Sequence, residues 1–293
     1  MGDLLLFAAA GFAATFVDGA LGMGFGPTSS SILLGTGLAP AAVSTAVNIA
    51  KLVTGVASGI AHWRLQNIER YLVLALAVPG SIGAVLGVTV LSRIDGRTIR
   101  PYLAVLLTLV GIRMLLRFIG PPAAARGGNE DQHGAVTLHR GGVAVAGLLG
   151  GITNGLIGAW GPIVTPYLLN RSVRPRFAIG SVNTAEVAVA SASAFTLIGS
   201  LGVGGIDGRA LLAMLAGGVI AAPLAAWVIR YVPARPMGVA VAVLLLATNA
   251  PQLVSWAGFA FGPLTALTYA AAIALVVLVV QSAGRSLAAD PSS

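Results

Sequence analysis

Apolar residues fall in long unbroken blocks, at about residues 4–22, 27–39, 42–61, 71–91 and 101–119, and again, after a polar gap, at about 142–159, 162–170, 177–198, 209–229, 237–256 and 262–280. Most approach the ~20 residues that a helix rising ~1.5 Å per residue needs to cross a ~30 Å hydrocarbon core. The blocks show no in-and-out alternation, which excludes the strands of a membrane barrel. Two blocks are too short to cross as ordinary helices. They run from Pro27 to Ala39 and from Pro162 to Asn170, and each follows a glycine-rich stretch, the pattern of broken or half helices. The first block is preceded by Asp3 and by no Lys or Arg, so it reads as a retained helix rather than a secretory signal. The pattern predicts an all-α polytopic integral membrane protein.

The polar gap, residues 120–141 (GPPAAARGGNEDQHGAVTLHRG), mixes Pro, Gly and both charge signs as a flexible connector does. The parts on either side repeat each other. GFAATFVDGALG from Gly11 lies over GLLGGITNGLIG from Gly147, so that Gly11, Asp18, Gly19 and Gly22 match Gly147, Asn154, Gly155 and Gly158. With one gap the register continues through Gly26-Pro27 on Gly161-Pro162, Pro40 on Pro175, Asn48 on Asn183 and Arg100-Pro101 on Arg235-Pro236. The organisation is therefore a first membrane repeat at 1–119, a connector at 120–141 expected in the cytoplasm, a second repeat at 142–256, and an added helix with a short tail at 257–293. If every block crosses, each repeat has an odd number of crossings and the two are inverted. If the short blocks are re-entrant, the repeats are parallel.

Charge bears on that choice. Apolar residues make up 57% of the 293-residue chain and charged ones 9%, against roughly 25% in soluble domains, so neither a soluble globule nor a disordered chain is expected. Seventeen Lys and Arg against nine Asp and Glu give a net charge of +8. Most of these charges sit between apolar blocks, where they read as cytoplasmic loops rather than as a nucleic-acid surface. If every block crosses, Arg64, Arg70, Arg117, Arg126, Arg140, Arg171, Arg174, Arg176, Arg230, Arg235 and Arg285 share one side, and Arg93, Arg97, Arg100 and Arg209 the other. The positive-inside rule then favours the inverted arrangement with the N-terminus outside. Re-entrant short blocks weaken the bias. No cysteine is present, which removes disulfides, thiolate nucleophiles and Cys-ligated metals.

Candidate chemistry lies inside the apolar blocks, where a charge costs at least ~2.5 kcal/mol and needs a partner. Lys51 and Glu186 occupy equivalent positions, in NIAK and NTAE. A pseudo-two-fold axis would bring them together, either as an anion-attracting lysine with a proton-carrying or gating glutamate, or as a structural ion pair. Asn48 and Asn183 lie one turn earlier on the same face. With Ser44, Thr45, Ser181 and Thr184 they form a polar substrate lining or interhelical hydrogen bonds. The breaks GALGMGFGPTSSS and GLIGAWGPIVTP place Gly24, Gly26, Pro27, Thr28 and Ser29 in one repeat, and Trp160, Gly161 and Pro162 in the other. Proline opens a helix without losing an amide hydrogen, and two half-helix N-termini meeting at mid-membrane would attract an anion. The other reading of these breaks is close helix packing, for which Gly147, Gly151 and Gly155 have the right spacing. Asp18 suits orienting backbone amides, because its counterpart is the neutral Asn154. Arg113 is expected to snorkel, and Trp63, Trp227 and Trp256 to sit at the interfaces. His62, His133 and His139 show no metal-ligand spacing, and no cofactor or nucleotide motif appears.

GALGMGFGP (Gly19–Pro27) with AVSTAVN (Ala42–Asn48), and GLIGAWGP (Gly155–Pro162) with AIGSVN (Ala178–Asn183), resemble the duplicated motifs of the TauE/SafE family, often described as sulfite exporters, along nearly the whole chain. The family's triple glycine is interrupted by Met23 and Phe25, and in the second half by Ala159 and Trp160. The resemblance implies a multi-pass transporter of the cytoplasmic membrane, acting on sulfite, sulfonates such as sulfoacetate, or related small anions, and working as an exporter. The expected mechanism is alternating access with proton coupling through Glu186. The expected partners are the lipid bilayer and a small anion, not nucleic acid, with a homo-oligomer left open. An intramembrane enzyme or an assembly factor is the other class; no nucleophile and base recur at workable spacing for the enzyme.

Overall fold

A computed structural model describes residues 2–21, 23–119, 139–171, 173–202, 208–228 and 234–258. They form ten α-helices: α1 (Gly2–Leu21), α2 (Phe25–Gly35), α3 (Pro40–Arg64), α4 (Arg70–Arg93), α5 (Gly96–Ile119), α6 (Arg140–Ile157), α7 (Gly161–Asn170), α8 (Pro175–Leu201), α9 (Gly208–Val228) and α10 (Ala234–Trp256). No strand occurs among the described residues. Among the described residues, five stretches are long and apolar enough to cross a membrane: Pro40–Arg64, Arg70–Arg93, Gly96–Ile119, Arg176–Leu201 and Gly238–Trp256. The protein is thus an all-α polytopic membrane protein. The connector at 120–138, the eleventh apolar block, His133 and the side chain of Trp227 lie outside the described residues.

The two short blocks are short helices, of 11 residues in α2 and 10 in α7, which span only about 15–17 Å. Both start before their proline. Phe25 opens α2 and Gly161 opens α7, with Pro27 and Pro162 inside the first turn. Any first-turn amide lacks an intrahelical partner, so proline is tolerated at more than one position there. The C-terminal end of α2 comes at Gly35 rather than near Ala39, because Gly37 adopts φ 93° and breaks the helix.

The chain folds as two compact units, residues 1–37 with 97–120 and 212–293, and residues 38–96 with 121–211. Each draws helices from both halves of the sequence. The first contains α1, α2, α5, α10 and α9 from Leu212 onward; the second contains α3, α4, α6, α7 and α8.

Within the second unit α4 packs along α6, glycine against glycine. A Cβ on Gly151 would overlap the carbonyl of Gly80, and one on Gly83 would overlap the backbone of Leu148 and Ile152. This is the close backbone approach that small residues permit between membrane helices. The opposite face of α4 carries Leu74, Val78, Ile82, Leu86 and Val90 at four-residue intervals, all exposed. Large apolar residues outside and glycines inside suit a helix solvated by lipid. The unit's interior is filled by Leu72, Leu76, Trp160, Val164, Val182 and Val189.

Within the first unit, α1 buries Phe7, Ala10, Ala14 and Val17. Gly11 and Gly217 bring its backbone against α9, where a methyl on either would overlap main-chain atoms of Met214 or Ala8.

Candidate functional site

The site in the second unit starts from the end of α6. Gly158 takes the left-handed conformation (φ 70°, ψ 11°), and its amide donates to the Asn154 carbonyl at 2.8 Å. A helix end leaves carbonyls without intrahelical donors. One face of α3 supplies donors to the carbonyls at this end at positions i, i+4 and i+7. The Ser44 hydroxyl donates to the Gly155 carbonyl at 2.7 Å, the Asn48 amide to the Asn154 carbonyl at 3.4 Å, and the Lys51 ammonium to the Gly158 carbonyl at 2.8 Å. The cation thereby also meets the negative end of the α6 dipole.

The side chain of Asn154 ties the cluster together. Its Oδ1 accepts from Lys51 Nζ at 2.6 Å, while its amide donates to Asn48 Oδ1 at 2.7 Å and to Ser193 Oγ at 3.0 Å. Glu186, seven residues before Ser193 on α8, completes the shell by an ion pair with Lys51. Lys51 is only 4% exposed, whereas Glu186 is 20% exposed. The lysine is thus at the bottom of the cluster and the carboxylate at its accessible edge. Each of the three ammonium protons has an oxygen acceptor: an amide, a main-chain carbonyl and a carboxylate. A charge within a membrane span is held without an orphan donor.

The other sequence candidates divide among several environments. Lys51, Glu186 and Asn48 come together. Asn183 turns away, donating to Ser58 Oγ at 3.4 Å. Ser181 accepts the Glu69 amide at 2.9 Å and pins the start of α4. Thr45 bonds back to the Ala41 carbonyl at 2.8 Å. Trp160 is fully buried against Gly80 and Gly150, with its indole N–H donated to the Val182 carbonyl at 3.0 Å. Gly161 and Pro162 follow it in the first turn of α7.

In the first unit, Asp18 Oδ1 accepts the Phe25 amide at 3.3 Å and so orients the start of α2. Gly24, at φ 132°, makes the reversal, and Gly26 and Pro27 are buried in the turn that follows. Ser29 bonds back to the carbonyls of Phe25 and Gly26. Thr28 Oγ1 is buried without a hydrogen-bond partner.

Sequence reasoning left out two groups. Asn154, by sequence the neutral counterpart of Asp18, is the hub of the Lys51 cluster, with Ser193 beside it. In the first unit, Ser31 pairs with Thr248 and accepts from the Asn249 amide at 2.6 Å. The signal for that pair was a threonine-asparagine step within an apolar block. No group of three His, Asp or Glu able to hold a metal occurs among the described residues.

The family described as Sulfite exporter TauE/SafE matches residues 7–253. The chain belongs to the TauE/SafE family. It is 37% identical over 257 residues to the Probable membrane transporter protein YtnM of Bacillus subtilis (strain 168), a match covering 87% of this chain and 84% of that protein. No solved structure matches. Family and relative place this TauE/SafE protein among multi-pass membrane transporters and not among enzymes.

Proposed function

We propose that this TauE/SafE protein is a secondary transporter of small oxyanions in the cytoplasmic membrane, with sulfite and organic sulfonates such as sulfoacetate as its substrate class and export as its direction. The observation that carries this reading is the Lys51 ammonium. It is almost fully buried at the middle of a 25-residue helix, held by two neutral oxygens and by the Glu186 carboxylate at the accessible edge. A structural ion pair alone adds little net stability over an apolar replacement, so a buried cation of this kind points to a ligand of opposite charge. Its neighbours Asn48, Asn154 and Ser193 keep the lysine fixed, and a fixed point cation suits a small oxyanion better than a bulky or apolar substrate. The family description favours sulfite.

The test is counterflow of radiolabelled sulfite and sulfoacetate in proteoliposomes. Saturable exchange with either is expected. Absence of exchange for both, with folded protein in the vesicles, would overturn the reading.

A further inference from the structure

The hydrogen-bond arithmetic at Lys51 sets how an anion can enter, an inference that rests on the transport reading above. An ammonium has three protons. Two are held by acceptors that cannot leave without damage. The Gly158 carbonyl belongs to the end of α6, and Asn154 Oδ1 belongs to a fully buried side chain whose amide is committed to Asn48 and Ser193. The third proton faces Glu186, at the accessible edge of the cluster. An incoming anion therefore gains a contact with the ammonium only by taking the place of that carboxylate.

A displaced carboxylate then faces a cost. Apart from Lys51, the charged or titratable groups on the packed helices lie toward helix ends, and the nearest in the fold is Glu69 before α4, whose amide is bonded to Ser181, five residues before Glu186. On α3 they are His62 and Arg64 in the last turn, on α4 the terminal Arg70 and Arg93 with Tyr71, on α6 Arg140 at the start, on α7 Tyr167, and on α8 Arg176. Arg176 lies ten residues from Glu186, about 15 Å along the axis. Lys51 is the cation paired with Glu186, and a carboxylate left unpaired inside a span is expensive.

We propose that the substrate anion and the Glu186 carboxylate compete for the same proton of Lys51, and that Glu186 is released as the neutral acid, so that one proton is bound with each anion. The balance is direct. The carboxylate takes a proton from the aqueous phase to become a carboxylic acid, and the anion accepts the ammonium hydrogen bond that the carboxylate gave up. The cluster's net charge is unchanged for a monovalent anion.

Proton uptake on binding fixes the sign of the pH dependence: affinity is greatest at low pH and falls as pH rises. The probe is methanesulfonate, a monovalent sulfonate that does not itself titrate near neutrality, added to the purified full-length protein. Between pH 6 and 8 the wild-type affinity should weaken about tenfold per unit, the slope for one linked proton. Glu186→Gln, which keeps an acceptor for Lys51 but cannot ionise, should bind with a slope near zero. A direct count in weakly buffered wild-type protein should give one proton taken up per methanesulfonate bound. That count needs no variant, so it decides the matter even if Glu186→Gln misfolds. Binding with no proton uptake, or the same pH slope in Glu186→Gln, would overturn the exchange while leaving anion transport standing. No binding of methanesulfonate or sulfite to the wild type would overturn both.

Discussion

Replacing Lys51 by Met keeps roughly the length and volume of the side chain and removes its charge. Three acceptors then lose their donor: Asn154 Oδ1, the Gly158 carbonyl and the Glu186 carboxylate. Removing one member of a buried ion pair typically costs about 3–5 kcal/mol, and each orphaned buried acceptor about 1–3 kcal/mol, though the terms overlap within one cluster. Glu186 is partly accessible and can relax away from the vacated position, which keeps the total near the lower value. Lys51→Met should thus cost about 3 kcal/mol. Adding Glu186→Gln removes the uncompensated charge and should recover about 1–2 kcal/mol of that loss. Reversible unfolding in mixed micelles, followed by circular dichroism for the wild type, both single variants and the double variant, closes the cycle. A Lys51→Met variant within about 0.5 kcal/mol of the wild type, the range of an uninvolved surface change, would refute the hydrogen-bond account. So would a double variant no more stable than Lys51→Met alone.

Other consequences can be checked more quickly. Asn154→Asp places a second carboxylate permanently beside Lys51, and methanesulfonate affinity measured by calorimetry should fall about tenfold or more. Gly151→Val should abolish the α4–α6 seam and the monodisperse peak in size-exclusion chromatography. Gly141→Ala, whose added methyl would meet nothing closer than His139 Nε2 at 3.6 Å, should leave the peak unchanged. Trp160→Ala should cost about 3–5 kcal/mol of stability through the cavity it leaves. Folded molecules of that variant should still bind methanesulfonate, since the indole hydrogen bond goes to Val182 and not to the lysine cluster.

The helices were legible because lipid imposes length and apolarity on every crossing, and the ten described helices fall on the blocks read from sequence. Glycine packing was legible too: the spacing of Gly147, Gly151 and Gly155 becomes the α6 side of the α4–α6 seam. The pairing of Lys51 with Glu186 followed from their equivalent places in the duplication. The role of Asn154 did not follow, because it depends on where α6 ends. A left-handed Gly158 turns the helix terminus toward α3, and no local pattern in the sequence marks which neighbouring helix will supply the donors. Asn183 was expected beside Glu186 from helical spacing, yet its amide reaches Ser58 on the facing helix. The compact units were hidden for a similar reason. Repetition along the chain reports two copies of a segment, whereas packing sorts α3 and α4 of the first copy with α6, α7 and α8 of the second.

The most direct measurement compares radiolabelled sulfite and sulfoacetate counterflow in proteoliposomes of wild-type protein and of the Lys51→Met/Glu186→Gln double variant, in which the cluster is neutral and no charge is stranded. Saturable exchange by the wild type, and exchange indistinguishable from empty vesicles for the folded double variant, is the predicted result. Equal rates for the two proteins would contradict the assignment of the anion to Lys51.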